Sequence, residues 1–305
     1  MKRRDFIKNT AASSSLLTIG GLSMSSFSSI EKIKKITILH TNDTHSHIDP
    51  FPSDDPRNPN QGGASKRAVI IEKIRREEEN VLLLDAGDIF QGTPYFNYYG
   101  GELEFKLMSM MQYDVATLGN HDFDNGIDGF YAQLHHAKFD FVSANYDFKN
   151  TVLDGIVKPY KIIMKSGLKI GVFGLGIELE GLVDKKGYKE TVYNNPIDIT
   201  KDTVKQLKEV ENCDLIICLS HLGFKYKNDP EKVSDITLAK LTKDIDLIIG
   251  GHTHTFLDKP VVEKNLDGKD VIINQVGCYG INLGRIDFYF SNDSKYSSLD
   301  KNIVV

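Results

Sequence analysis

The chain has 305 residues, 40% hydrophobic and 26% charged, with a formal net charge of −5. This balance fits one large globular domain or two small ones and excludes a disordered or fibrous class. No basic stripe interleaved with aromatics runs along it, so a nucleic acid polymer is not the indicated partner and a small molecule is.

The N-terminus, Lys2-Arg3-Arg4-Asp5-Phe6-Ile7-Lys8 followed by a weakly apolar, Ser-rich stretch from Ala11 to Met24, has the arrangement of a twin-arginine (Tat) export signal. Residues 1–30 are therefore expected to be a Tat-type signal segment, residues 31–305 the folded domain, and the destination the periplasm. The segment has no Ala-containing cleavage site and no Cys for a lipid. Cleaved and anchored forms both fit, and membrane contact is expected only through an uncleaved signal. No later stretch approaches the roughly 20 apolar residues that a spanning helix requires.

Lys35 to His40 is a β-branched run that stops at a polar loop, and Val81 to Leu84 does the same before Asp85-Ala86-Gly87-Asp88. Both predict buried strands. Between them Ala64, Ala68, Ile71 and Ile74 recur at helical spacing, which completes a βαβ unit. A helix around Leu103 to Met111, a strand at Val115 to Leu118, a helix around Ile127 to His136 and a strand at Phe139 to Ser143 follow. Tyr160 to Met164 and Leu168 to Phe173 flank Lys165-Ser166-Gly167 as a hairpin. Asp202 to Val210 and Ser234 to Leu241 read as helices, Leu215 to Leu219 and Leu247 to Ile249 as strands. From Pro260 onward only strands are predicted, at Val261 to Glu263, Val271 to Ile273 and Arg285 to Phe290, giving an antiparallel finish. The expectation is an α/β domain of two packed sheets covered by helices. Cys213, Cys218 and Cys278 read as buried free thiols, with a Cys218–Cys278 bridge left open.

Chemistry concentrates at the ends of these strands. Asp43-Thr44-His45 places a carboxylate and an imidazole in the loop after the first strand. Gly87-Asp88 follows the second, and a carboxylate with two oxygens can bridge two cations. Gly119-Asn120-His121-Asp122-Phe123-Asp124 adds an amide oxygen, an imidazole and two carboxylates. Here His121 is open between ligand and proton donor, Asp124 is placed to orient its ring, and Asp122 reads as facing solvent. His221 ends one later strand, and Gly250-Gly251-His252-Thr253-His254 follows another, with both imidazoles on one side of an extended segment. So many N and O donors exceed what one ion can use and predict a dinuclear divalent metal site, of Zn, Mn, Fe or Co. His40, His47, His135 and His136 lack such context and are expected to be structural or exposed.

Over residues 36 to 290 the segments LHTNDTHSH, GDIFQGTPYF, LGNHDFDNG, SHLG and GGHTHT stand in the order of the calcineurin-like metallophosphoesterases, and the chain resembles their bacterial and animal 5′-nucleotidases. The resemblance implies a four-layer α/β/β/α metallophosphatase sandwich with metals at the C-terminal edges of the strands. It implies Asp43, His45, Asp88 and His254 as ligands of one metal, and Asp88, Asn120, His221 and His252 as ligands of the second. His121 resembles the family's catalytic histidine and Asp124 the aspartate that pairs with it. The implied reaction is attack on a nucleotide phosphate by a hydroxide bridging two cations about 3.5 to 4 Å apart, with His121 stabilising the developing charge.

Two departures from the family pattern stand out. Asp122 occupies a position where many 5′-nucleotidases have Glu, a change expected to be tolerated. By the same resemblance the chain is also expected to lack the C-terminal domain that grips the base in full-length members. The partner is thus expected to be a nucleotide or another phosphate ester, with a separately encoded C-terminal nucleotidase domain as a possible second polypeptide. Other readings kept open are a cyclic-nucleotide phosphodiesterase, another ester hydrolase of the superfamily, and the catalytic half of a split nucleotidase that is inert until paired.

Overall fold

A computed structural model describes residues 33–291 and 294–305, so the expected signal segment lies outside the described residues. The strands in chain order are β1 (Lys34–Thr41), β2 (Val81–Asp85), β3 (Val115–Ala116), β4 (Asp140–Phe141), β5 (Tyr146–Asp147), β6 (Tyr160–Lys165), β7 (Leu168–Leu175) and β8 (Val192–Tyr193). They continue with β9 (Leu215–Ser220), β10 (Leu247–Gly250), β11 (Val261–Lys264), β12 (Asp270–Asn274), β13 (Asn282–Phe290), β14 (Lys295–Ser298) and β15 (Ile303–Val304). One sheet runs β14-β13-β1-β2-β3-β4, with β15 also pairing β13, and the other runs β11-β12-β10-β9-β7-β6. Strands β5 and β8 form a separate two-stranded ribbon.

The helices are α1 (Ala64–Glu77), α2 (Pro94–Tyr99), α3 (Glu102–Met110), α4 (Gly126–Gln133), α5 (Lys185–Tyr188), α6 (Pro196–Lys205) and α7 (Asp235–Leu241). Three buried clusters define the layers. Ile36, Ile38, Leu82 and Leu84 of the first sheet meet Val172, Leu215, Ile217 and Ile249 of the second. The alternate residues Leu39 and Leu83 turn outward onto Ile71 and Ile74 of α1, Phe105 of α3 and Phe130 of α4. On the far side Ile216, Cys218 and Ile248 pack with Val204 of α6 and Leu238 of α7. With side chains alternating between faces, each central strand is apolar on both, which is why these runs are continuous in sequence. The result is the expected α/β/β/α sandwich.

Some details differ from the sequence reading. The finish after Pro260 is only partly antiparallel, since β12 runs parallel to β10 and β13 returns to the first sheet to pair antiparallel with β1. Helix α6 begins earlier than Asp202 because Asn195 caps it, accepting from the backbone of Ile197 and Asp198, and Pro196 occupies its first turn. Helix α2 has no counterpart in the sequence reading because Pro94-Tyr95-Phe96-Asn97-Tyr98-Tyr99 has no 3.6-residue period; proline starts it and Gly100, in left-handed backbone, stops it. All three cysteines are free and buried. Among the described residues no helix is long and apolar enough to cross a membrane.

His40 links the two sheets. Its Nε2 accepts from Asn274 Nδ2 at 2.9 Å, and complete burial pushes its pKa down to about 3. A base whose folded pKa is depressed contributes stability that is present above the unfolded pKa of about 6.5 and lost as pH falls toward the folded value. Urea unfolding is expected to show a fall in stability from pH 7 to pH 5. His40→Leu should be less stable at pH 7, because Asn274 loses its acceptor, but should lose less over the same interval.

Candidate metal centre

Strands β1, β2, β3, β9 and β10 all end at one edge, where their loops meet. The seven residues expected as ligands come together there. Asp43, His45, Asp88 and His254 each present a donor atom, all within 4.8 Å of one another, and Asp88, His221 and His252 do the same. Asp88 is common to both sets. Asn120 joins the second, its Oδ1 standing 2.9 Å from His252 Nδ1.

The backbone is bent to achieve this. Asp43, His45, Asp88, His252 and His254 all have positive φ, between 47° and 71°. A non-glycine residue held there carries strain on the order of 1–3 kcal/mol and persists where the surroundings enforce it. The motif glycines allow the close approach. A Cβ on Gly251 would lie 2.8 Å from His221 Nδ1 and 3.1 Å from Asp43 Oδ2, and one on Gly119 would run into the Asp88 carboxylate.

Neighbouring carbonyls aim the imidazoles. His221 Nδ1 donates to the carbonyl of Ala86 at 2.7 Å and His45 Nδ1 to that of Phe90 at 3.2 Å. Each ring therefore turns Nε2 inward with its lone pair. Among the described residues His221 Nε2, fully buried, has no hydrogen-bond partner, although Asp88 Oδ2 is 3.0 Å away. His45 Nε2 and His254 Nε2 approach to 2.9 Å. An orphaned buried nitrogen, two facing imidazole nitrogens and a bridging carboxylate form a donor set that fits two divalent cations.

The electrostatics agree. Burial raises the Asp88 carboxyl, but the imidazoles of His221, His45 and His121 outweigh it and hold the group well below the usual carboxylate range. Burial disfavours charge on His221, yet Asp88 and Asp43 push its pKa up to about 10. The hydrogen bond to Asp43 takes His254 to about 10 as well, whereas burial lowers His252 to about 4. The carboxylates thus draw positive charge into the site.

His121 and Asp124 stand apart from the donor sets. His121 Nδ1 is 2.8 Å from Asp124 Oδ2, both side chains are partly exposed, and that hydrogen bond raises the imidazole pKa. Asp122 corrects the sequence reading: it is fully buried. Its Oδ2 accepts from the backbone N–H of Asp88 and Gly119, its Oδ1 from those of Ile89 and Phe90. One carboxylate thereby clamps the loops after β2 and β3 together. Asn42, next to Asp43, has a role that the sequence does not signal. Its side chain donates to Asp43 Oδ2 and the Gly277 carbonyl and accepts from Val276 N–H, tying the first loop to the approach to β13. Of the histidines set aside, His40 is buried, His47 is half-buried beside Tyr279, and His135 and His136 lie together near the surface.

This fold and donor set define a class. The calcineurin-like phosphoesterase family model matches residues 36–256, and the chain belongs to that family. It is 35% identical to the trifunctional nucleotide phosphoesterase protein YfkN of Bacillus subtilis, over 88% of this chain and 19% of that protein. It is 32% identical to the snake venom 5′-nucleotidase of Naja atra, over 86% of this chain and 51% of that one. Among solved structures, the 5′-nucleotidase precursor of Thermus thermophilus superposes with a TM-score of 0.78 at 30% identity, over 88% of this chain and 55% of that chain. The chain thus spans about half, or less, of the length of these relatives.

Asp122→Asn replaces an acceptor with an amide that faces backbone N–H groups. We expect it to destabilise the protein by about 1–3 kcal/mol for each donor left unpaired. Calorimetry of the metal-free protein should show a melting temperature lowered by several degrees.

Proposed function

We propose that this chain is a dimetal-dependent phosphoester hydrolase of the 5′-nucleotidase type, acting on a nucleotide phosphate. The observation that carries the reading is the pair of donor sets sharing Asp88, with the His121–Asp124 pair beside them. Asp43, His45, Asp88 and His254 would hold one ion; Asp88, Asn120, His221 and His252 would hold the other. Mixed N and O ligation admits Zn, Mn, Fe or Co. When bound, two such ions supply Lewis acidity toward a phosphoryl oxygen and lower the pKa of water to generate the nucleophile.

The chain's own residues account for the rest. Asp124 accepts from His121 Nδ1, so the other ring nitrogen is left for the substrate. The hydrogen bond to Asp124 raises the imidazole pKa and so favours the imidazolium form. In that form His121 donates to the phosphoryl group or leaving oxygen and offsets the charge that develops there. The buried carbonyl contacts of His45 and His221 keep their rings from rotating, so the site is organised before substrate arrives. The identities of the relatives support a nucleotide as substrate. Those relatives carry about as much chain again or more, and a second domain, in the same polypeptide or supplied separately, is part of the proposal. The twin-arginine segment supports an exported, periplasmic setting.

Metal analysis of the purified protein should find two divalent ions per chain, and a chelator should abolish phosphate release from AMP. His121→Ala should retain both ions and lose about 10² to 10⁴ in kcat. Loss of an ion in that variant would reject the assigned role, and preferential cleavage of cyclic diesters by the wild type would favour the phosphodiesterase reading.

A further inference from the structure

A small cavity of about 20 Å³ lies between the loop that follows β1 and helices α1 and α3. Three residues of its wall are polar and more than nine-tenths buried: Ser46 at 2% exposure, Arg67 at 5% and Glu104 at 5%. Among the described residues Ser46 Oγ, Arg67 Nε and Nη1, and both carboxylate oxygens of Glu104 have no hydrogen-bond partner. The guanidinium and the carboxylate carry opposite charges and line one space, yet they do not pair directly. Buried polar atoms are costly when unsatisfied, so five at one place call for an occupant that satisfies them.

The cavity specifies that occupant. One positive and one negative side chain face it, so neither a cation nor an anion is favoured over a neutral molecule. The molecule must accept from Arg67 N–H groups and donate to Glu104, which water does. A site needs about 10–15 Å³ and two to four polar partners to hold one water, and this one meets both conditions. It is too small for an organic ligand.

Ser46 ties the cavity to the first donor set, because it follows His45. In this loop Asp43, His45 and Ser46 have φ of 50°, 47° and 54°, so three of four consecutive residues carry backbone strain. The loop is stitched to the one after β2, with His45 N–H donating to the Asp88 carbonyl at 3.0 Å and Ser46 N–H to that of Ile89 at 2.9 Å. Arg67 also presses on the turn before β13, where a Cβ on Gly280 would run into Nη1. The adjoining Tyr279 N–H donates to the Asp43 carbonyl at 2.7 Å. Arg67 thus reaches both the strained loop and the turn that braces it. No ligand expected only in the second donor set, Asn120, His221 or His252, lines the cavity.

We propose that the cavity binds one ordered water, which accepts from Arg67, donates to Glu104 and engages the Ser46 hydroxyl, and that Arg67 and Glu104 thereby act as positioning residues for the first donor set. The water stands on the cavity alone, and its consequence for an ion rests on the dimetal reading above.

A high-resolution crystal structure of the chain should show a single water within hydrogen-bond distance of Arg67 and Glu104. An ion in that place, no density there or a direct Arg67–Glu104 pair would overturn the site. The positioning role is read from zinc affinity by chelator competition, in a His252→Ala background for the first set and a His254→Ala background for the second. Arg67→Met/Glu104→Leu removes both charges together and leaves neither buried alone. It should expel the water and weaken zinc at the first set about 10- to 100-fold while the second set keeps its affinity. Glu104→Gln, which retains an acceptor, should keep the water and both affinities, and Ser46→Ala should weaken the first set alone. Unchanged affinities in the double variant, or equal losses at both sets, would overturn the positioning role. If the double variant does not fold, Ser46→Ala decides in the same way. A wild type that binds fewer than two zinc ions, with the water in place, would reject the dimetal reading and leave the water site standing.

Discussion

The Asp88 carboxylate lies between two sets of donors, and much of the surrounding structure serves to keep it there. A buried carboxylate is expensive unless charge or hydrogen bonds compensate it. Here His221 stands 3.0 Å from one oxygen, and the His121 N–H donates to the other at 2.8 Å. The residue itself sits in left-handed backbone, with Gly87 before it and the Gly119 backbone pressed against its side chain. That arrangement is held by Asp122, whose two oxygens take four backbone N–H groups from the loops after β2 and β3. A rigid sandwich behind the loops makes such local strain tolerable, since the strand ends cannot move apart without opening the core between the sheets.

The same logic explains the division of labour among the histidines. Those whose Nδ1 is committed to a backbone carbonyl, His45 and His221, have their ring orientation decided by the fold and point Nε2 into the site. His121 has its Nδ1 committed to a carboxylate and remains partly exposed. A carbonyl on Nδ1 holds the ring so that Nε2 faces the donor sets, whereas a carboxylate on Nδ1 favours the charged form suited to proton donation. His40, in contrast, is fully buried and joins the sheets through Asn274.

Much of this was legible in the chain. Continuous apolar runs such as Leu215 to Leu219 announce strands buried on both faces, and the polar motif that follows each run announces where ligands gather. Asp43, His45, Asp88, Asn120, His221, His252 and His254 are marked out as candidate ligands in this way, because each lies within a few residues of a strand end. The burial of Asp122 is not readable from its local sequence, for a physical reason. Its role depends on the N–H groups of Asp88, Ile89 and Phe90, more than 30 positions away, and no local pattern records that they will point at it. Helix α2 was missed because capping by Pro94 and Gly100 defines it in the absence of apolar periodicity.

By itself, then, the sequence determined the strand and helix layers and the kinds of donor available, because burial periodicity and ligand chemistry are properties of short segments. Tertiary structure alone decided that Asp122 clamps the loops after β2 and β3, that Asn42 ties the first loop to the approach to β13, and that Tyr279, His47 and Phe51 become neighbours. Tyr279 and Phe51 are over 200 residues apart and meet only because β13 returns to pair with β1, carrying the turn before it against the first loop. Such proximity follows from strand order, which no spacing along the chain encodes.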